Sequence, residues 1–328
     1  MDLIAANHSS YPRIGEGAEE HILRRTIGQF DHGEKAEADV HAAENRLTEL
    51  ALEEQAAAGL DVVTDGQVRW YDPVSHLAGK LEGVRINGLL RFFDTNFYFR
   101  QPVVSSPPVR RQALLADEFR FAQARSRRPV KAVLTGAYTL ARLSLPENGV
   151  GGFEKLMEGY TAALAGEVAA LAAAGATLIQ VEEPAVLKRP ADLGIVACSL
   201  AALAARKRAA ELALALYFGD PAPLYEKLQQ APADTLVLDF TYNPGLADIV
   251  SAAGSEKTLG LGLIDGRNTR LEDTESVLRP LERMLVKSKS ARAYLMPSCG
   301  LEYLPRDRAR LKLQRLASIK EALQGGAR

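Results

Sequence analysis

The sequence is short of cysteine, of charge of one sign and of long apolar runs, and each shortage excludes a class of protein. Two cysteines, Cys198 and Cys299, are too few for a disulfide scaffold, and neither stands in a C-x-x-C pair. The five histidines, His8, His21, His32, His41 and His76, form no H-x-H or H-E-x-x-H pair, so no local metal motif is present. Lys plus Arg is 40 against 41 Asp plus Glu, a net charge of −1. No surplus of cations is available to neutralise a phosphate backbone or an anionic bilayer, which argues against nucleic acid and membrane partners. The most apolar stretch, residues 162–174, is Ala-rich and carries Glu167, so it falls short of a membrane span. The opening MDLIAANHSSYPRIG lacks a basic region followed by an apolar run, and a cytoplasmic location is the expectation. No G-x-G-x-x-G or G-x-x-x-x-G-K-[ST] phosphate loop follows any apolar run.

What is there is an alternation of strand-like and helix-like periods. Strands are expected at Leu3–Ala6, Asp61–Thr64, Lys131–Thr135, Thr177–Val181, Leu212–Tyr217, Thr235–Leu238, Leu259–Ile264 and Ala293–Met296. Helices are expected within 34–58, at Phe153–Ala174, near 199–210, and at Leu224–Gln229, Leu246–Ala252 and Thr274–Lys287. A last amphipathic helix carries Leu311, Leu313, Leu316, Ile319 and Leu323. In the second of these helices Phe153, Leu156, Tyr160, Leu164, Val168 and Leu171 step by three or four, and Gly175 closes it. Eight strands separated mostly by helices predict an α/β fold, a single (β/α)8 TIM-type barrel over residues 1–328. An open doubly wound sheet is the rival, and it lacks its phosphate loop. Residues 70–128 are aromatic, Arg-rich and without period, and are expected to form an irregular insertion over the barrel's C-terminal face.

Polar residues gather after the strands: Ser10, Asp65, Gln67, Glu182, Asp239, Asp265 and Cys299. In a barrel they share one face, where such folds place their chemistry. Glu182 and Glu183 end an apolar strand, and buried charge is costly. Either they hold an ammonium group, a metal or a proton in transit, or they begin a helix at Pro184 and favour its dipole. Asp65-Gly66-Gln67-Val68-Arg69 offers a carboxylate, an amide and a guanidinium on a tight turn, or is a surface turn with a local salt bridge; Asp265-Gly266-Arg267-Asn268 has the same ambiguity. Cys299, beside Gly300, reads as an inert small residue or as a ligand. His8, at the end of the first strand, is placed to face the barrel mouth.

Together these segments resemble the cobalamin-independent methionine synthase family. Ser10-Tyr11-Pro12-Arg13-Ile14-Gly15 is similar to the family's opening S/G-F/Y-P-R-I-G, the Asp65–Arg69 turn to D-G-E/Q-x-R, and Ile179 through Ala185 to I-Q-I-D-E-P-A. Tyr217-Phe218-Gly219-Asp220, Leu236–Asp239 and Asp265-Gly266-Arg267-Asn268 resemble later blocks, and Pro297-Ser298-Cys299-Gly300-Leu301 resembles the last. The resemblance implies a β/α barrel that transfers a methyl group to homocysteine or another small thiol, in methionine biosynthesis. It implies Glu182, Glu183 and Asp239 as catalytic residues, and Ser10, Arg13, Asp65, Gln67, Arg69, Tyr217 and Asp265 as substrate-binding. It also implies a methylated folate or a corrinoid as donor, with a companion synthase chain or corrinoid protein as partner.

The family's catalytic barrel binds zinc through a His-x-Cys pair, a Glu and a final Cys. Here Cys299 matches the last and Asp239 the Glu, but Ala215-Leu216-Tyr217 stands where His-x-Cys would be. A zinc site needs three or four protein ligands, so zinc is expected to be held weakly or not at all. The family's two carboxylates for the homocysteine ammonium are Glu182 and Gln67 here, one charge fewer. Two other readings therefore stand beside methyl transfer: a zinc-free, folate-binding or partner-dependent relative without activity of its own, and another thiol-directed lyase or transferase.

Overall fold

A computed structural model of the chain describes residues 1–325. In chain order its strands are β1 (Asp2–Ala5), β2 (Glu82–Arg91), β3 (Tyr98–Val109), β4 (Ala132–Thr135), β5 (Leu145–Pro146), β6 (Leu178–Glu182), β7 (Glu211–Leu216), β8 (Thr235–Asp239), β9 (Thr258–Ile264) and β10 (Arg292–Pro297). Seven of them form one sheet in the order β1-β10-β9-β8-β7-β6-β4, and every pairing in it is parallel. Strands covered on both faces read as continuous apolar runs, and β4, β6, β7 and β8 are buried from end to end.

The segment expected as a strand at Asp61–Thr64 is reduced to single bridges, Ala6 to Val62 on one side and Val63 to Val130 on the other. The Val63 amide donates to Pro129 O at 3.0 Å, and the Lys131 amide donates to Val63 O at 2.8 Å. This short eighth stave stands between the two edge strands. Its brevity has a local cause, because the chain must turn at once through Gly66 and Gln67, both with positive φ.

Helices cover the outside of the sheet. The helix Gly152–Ala173 buries Leu156, Tyr160, Leu164, Val168 and Leu171, and its Phe153 packs partly buried against the same core. Burying each such side chain stabilises the fold by roughly 1.5–3 kcal/mol. In the last helix, Arg306–Gly325, Leu313, Leu316 and Ile319 are buried, whereas Leu311 lies off that face and is exposed. The structure adds the helices Ile22–Asp31 and Ala137–Leu143 to those expected; the first buries Leu23 and Thr26. A smaller apolar cluster of Ala6, Leu178, Ala213, Ala215, Val237, Tyr294 and Met296 packs separately from the main core.

The expected irregular insertion at 70–128 is ordered, which corrects that expectation. It contains a short helix Ser75–Ala78, the antiparallel hairpin of β2 and β3, and the helix Ala116–Arg125. The signal was hidden because Pro102, Pro107 and Pro108 interrupt β3, and because β2 is largely solvent-exposed and shows no clean alternation. Strand β5 pairs with β3 and completes a separate three-stranded sheet.

Candidate active site

Parallel strands carry their C-terminal ends to one face, so the residues after β1, β6, β8, β9 and β10 converge there. Beside that face lies a cavity of about 400 Å³. The loop after β1 contributes Ser10 and Arg13, the turn at Gly66 contributes Gln67, and the loop after β10 contributes Glu302. Trp70, Tyr71 and Phe97 add aromatic walls, with Leu23, Ile27 and Leu304 between them.

Four polar atoms of these lining residues are buried without a partner: Ser10 Oγ, Arg13 Nε, Gln67 Nε2 and Glu302 Oε2. A buried polar atom left unpaired costs about 1–3 kcal/mol, so four around one cavity call for a ligand or ordered water. Ser10 and Gln67 are themselves only 6% and 5% exposed. Arg13 is fixed by Nη1, which donates to Trp70 O at 2.8 Å, and its guanidinium lies over the Tyr71 ring at 5.3 Å. Arg100 stacks on the same ring at 4.4 Å.

Glu182 lies beneath this cavity in a buried network. Its Oε2 accepts from Tyr217 OH at 2.7 Å and its Oε1 from Gln180 Nε2 at 2.9 Å, with His8 Nδ1 at 3.4 Å. Burial pushes the Glu182 carboxyl up, yet contacts with His8, Tyr217 and Ser9 outweigh it and leave it below the usual range. Burial lowers His8 against the opposing pull of Glu182, and its Nε2 has no partner. Gln180 also accepts from Lys131 Nζ at 2.5 Å, and burial brings Lys131 down to about 7.

Glu183 points elsewhere. Its carboxylate accepts from the Tyr138 amide at 3.0 Å, the Thr139 amide at 2.7 Å and Thr139 Oγ1 at 2.7 Å, at the start of the helix Ala137–Leu143. A Cβ at Gly136 would lie 2.1 Å from Glu183 Oε1, so glycine leaves the room in which this carboxylate sits. Burial pushes Glu183 up to about 7.

The remaining expected residues divide. Tyr217 joins the Glu182 network and stands edge-on to His8, with ring centroids 5.2 Å apart. Asp239 accepts from the Thr241 amide and hydroxyl, both at 2.8 Å, and faces Arg267 at 3.5 Å. Asp265 is spent on its own turn, accepting from the Arg267 amide and from Asn268. Asp65 caps its turn by accepting from the Gln67 amide at 2.9 Å, and burial pushes it up to about 6. Arg69 leaves the face altogether: it reaches Asn45 at 2.6 Å and lies over Phe121 at 5.0 Å.

Cys299 is fully buried, and burial pushes its thiol well above the usual range. Its donor set does not fit a four-ligand zinc centre. Gly266 packs so closely that a Cβ there would meet Sγ at 2.9 Å. Ala215 offers a methyl group, and Tyr217 commits its hydroxyl to Glu182. Among the described residues no group of three or more His, Cys, Asp or Glu is arranged to hold a metal ion. Sequence pattern alone does not single out Glu302 or the aromatic wall. The available signal was a carboxylate set in the apolar run Leu301-Glu302-Tyr303-Leu304.

Comparison with known proteins gives a consistent result. The profile described as the catalytic domain of cobalamin-independent synthase matches residues 9–321. A protein named methionine synthase from Saccharolobus solfataricus is 29% identical, over 91% of this chain and 89% of that one. A 5-methyltetrahydropteroyltriglutamate–homocysteine methyltransferase from Ralstonia pickettii is 30% identical, over 96% of this chain and 46% of that protein. A solved B12-independent methionine synthase from Shewanella sp. W3-18-1, in complex with selenomethionine, has a TM-score of 0.81 at 21% identity. It covers 100% of this chain and 99% of its own, and it shows the likeness of the fold.

Proposed function

The chain belongs to the cobalamin-independent methionine synthase family, and from that premise we propose that it transfers a methyl group from a methylated folate to the sulfur of homocysteine. A corrinoid donor or partner drops out, because the matching catalytic domain is cobalamin-independent. A companion chain finds no support either: the Saccharolobus relative is matched over 89% of its own length. We take residues 1–328 as one barrel domain working on water-soluble substrates in the cytoplasm. No helix among the described residues is long and apolar enough to cross a membrane.

The observation that carries this reading is the cavity beside the C-terminal ends of the strands, with its unpaired polar atoms and aromatic wall. Ser10, Gln67 and Arg13 are assigned to the polar end of the amino-acid substrate. Trp70, Tyr71 and Phe97 offer faces to a flat ring. Glu182 with Tyr217 and His8 forms a buried network behind the lining, Asp239 and Asp265 shape the loops after β8 and β9, and Asp65 fixes the turn that presents Gln67. Glu183 and Arg69 are assigned to positioning, through the helix start at Ala137 and the contact with Asn45. In the reaction the thiol gives up its proton and its sulfur bonds to the methyl carbon. The folate nitrogen leaves with the electron pair and is protonated.

Incubation of the purified chain with homocysteine and 5-methyltetrahydrofolate, with mass-spectrometric detection, is expected to yield methionine. Its absence at high enzyme concentration would overturn the reading. One observation favours a second reading: Ala215 and Tyr217 stand where the family's zinc ligands would be. A relative that binds both substrates without turning them over would show calorimetric binding and no methionine.

A further inference from the structure

We propose that Glu302 supplies the negative charge that holds the ammonium group of an α-amino acid in the cavity, in place of the carboxylate that Gln67 does not provide. This deepens the reading of the site as an amino-acid site and rests on it.

Glu182, the carboxylate that the strand-end motif names, has both oxygens engaged by Tyr217 and Gln180, and it does not line the cavity. Gln67 lines the cavity but is neutral at every pH. Glu302 lines the same cavity, and its Oε2 is enclosed without any partner. A Cβ at Gly300 would sit 2.1 Å from Ser10 Oγ and 2.3 Å from Glu302 Oε2. The hydroxyl and the carboxylate therefore face one another across a space that any side chain at 300 would fill. Both are acceptors suited to the three N–H bonds of an ammonium group.

The electrostatics agree with this geometry. Burial, with the Glu182 charge nearby, pushes Glu302 up to about 7 against hydrogen bonds from its own backbone and from Tyr303, and no cation is among the groups that act on it. Arg13, a basic residue of the wall, already gives Nη1 to Trp70 O and lies against Tyr71. Its free Nε, and the free Nε2 of Gln67, are donors suited to the carboxylate of the same ligand. Acceptors and donors in one cavity match a zwitterion better than a simple acid or a simple amine.

The test compares L-methionine with 4-(methylthio)butanoate, which has the same chain without the amino group. Binding to the full chain is followed by the fluorescence of the single tryptophan, Trp70, which lines the cavity, and by calorimetry. The wild type is expected to prefer L-methionine at least about tenfold, the scale of one charge-assisted hydrogen bond. Glu302→Gln should erase that preference while leaving the des-amino acid bound as before. Glu302→Asp should keep part of the preference. Gly300→Ala, which fills the space between Ser10 and Glu302, should erase it as well. Melting curves identify any variant that fails to fold, and Gly300→Ala then decides. A wild type that does not distinguish the two ligands, or binds neither, would overturn the proposal, as would a folded Glu302→Gln that still prefers the amino acid. A Glu302-dependent preference in a chain that makes no methionine would uphold this inference and sink the methyl-transfer reading.

Discussion

Glu182 and Arg306 show how much a single side chain carries when it is buried among donors or acceptors. Both Glu182 oxygens accept from Tyr217 and Gln180, with His8 close by. Glu182→Gln keeps the shape but replaces one acceptor by a donor facing those donors. An unpaired buried donor costs about 1–3 kcal/mol, so the urea midpoint should fall with no change of slope. An unchanged midpoint would mean that the network is not a structural unit. Arg306, fully buried at the start of the last helix, donates Nε to Glu54 at 3.1 Å and Nη1 to Pro12 O at 2.6 Å. It pins the loop that carries Arg13 into the cavity. Glu54 keeps Tyr11 and Arg310 as partners, so Arg306→Ala loses its hydrogen bonds without stranding a charge and should destabilise the chain by about 1–3 kcal/mol. Arg306→Lys should recover little, because an ammonium cannot reach Glu54 and Pro12 with the same planar fork. The test is chemical denaturation of both variants beside the wild type.

At the scale of elements, the inserted segment behaves as part of the site wall. Glu118, on the helix Ala116–Arg125, accepts from Lys80 Nζ at 2.6 Å, contacts His76 at 3.0 Å and receives Trp70 Nε1 at 3.3 Å. Burial pushes Glu118 up, but His76 and Lys80 more than offset it and bring the carboxyl down to about 2. A carboxyl whose folded value lies below its unfolded one, here 4.5, stabilises the fold above that unfolded value. The contribution is lost as pH falls from about 4.5 toward 2. The melting temperature of the wild type should therefore drop through that window, and Glu118→Gln should flatten the drop while lowering stability at neutral pH. Equal pH slopes for the two proteins would show that the contact adds nothing. This element was hard to read from the chain: the prolines of β3 and the exposure of β2 removed the alternation that marks a strand. The long helices and the apolar strands were legible, because their buried residues recur at 3.6 or run unbroken.

For the whole molecule, closing eight staves into a ring brings residues from distant parts of the chain to one face, and that convergence decides what the face can hold. Around Cys299 it brings the Gly266 backbone, Ala215 and Tyr217 rather than further soft ligands. After dialysis against a mild chelator, the purified protein is expected to retain well below one zinc per chain by elemental analysis, with or without homocysteine. One tightly held zinc per chain would overturn this and point to a rearranged donor set near Cys299. The sequence by itself determined the α/β alternation, the parallel order and the family, because periodicity and ordered motifs are local properties of the chain. It also named Ser10, Gln67 and Glu182, which sit at strand ends that local pattern can locate. Only the tertiary structure decided which of these groups are free. It turned Glu183 into a helix start, sent Arg69 outward, satisfied Glu182 from within and left Glu302 unpaired beside Ser10. The physical reason is that a carboxylate's availability depends on the donors around it, and most of those come from other strands and loops that only the fold brings near.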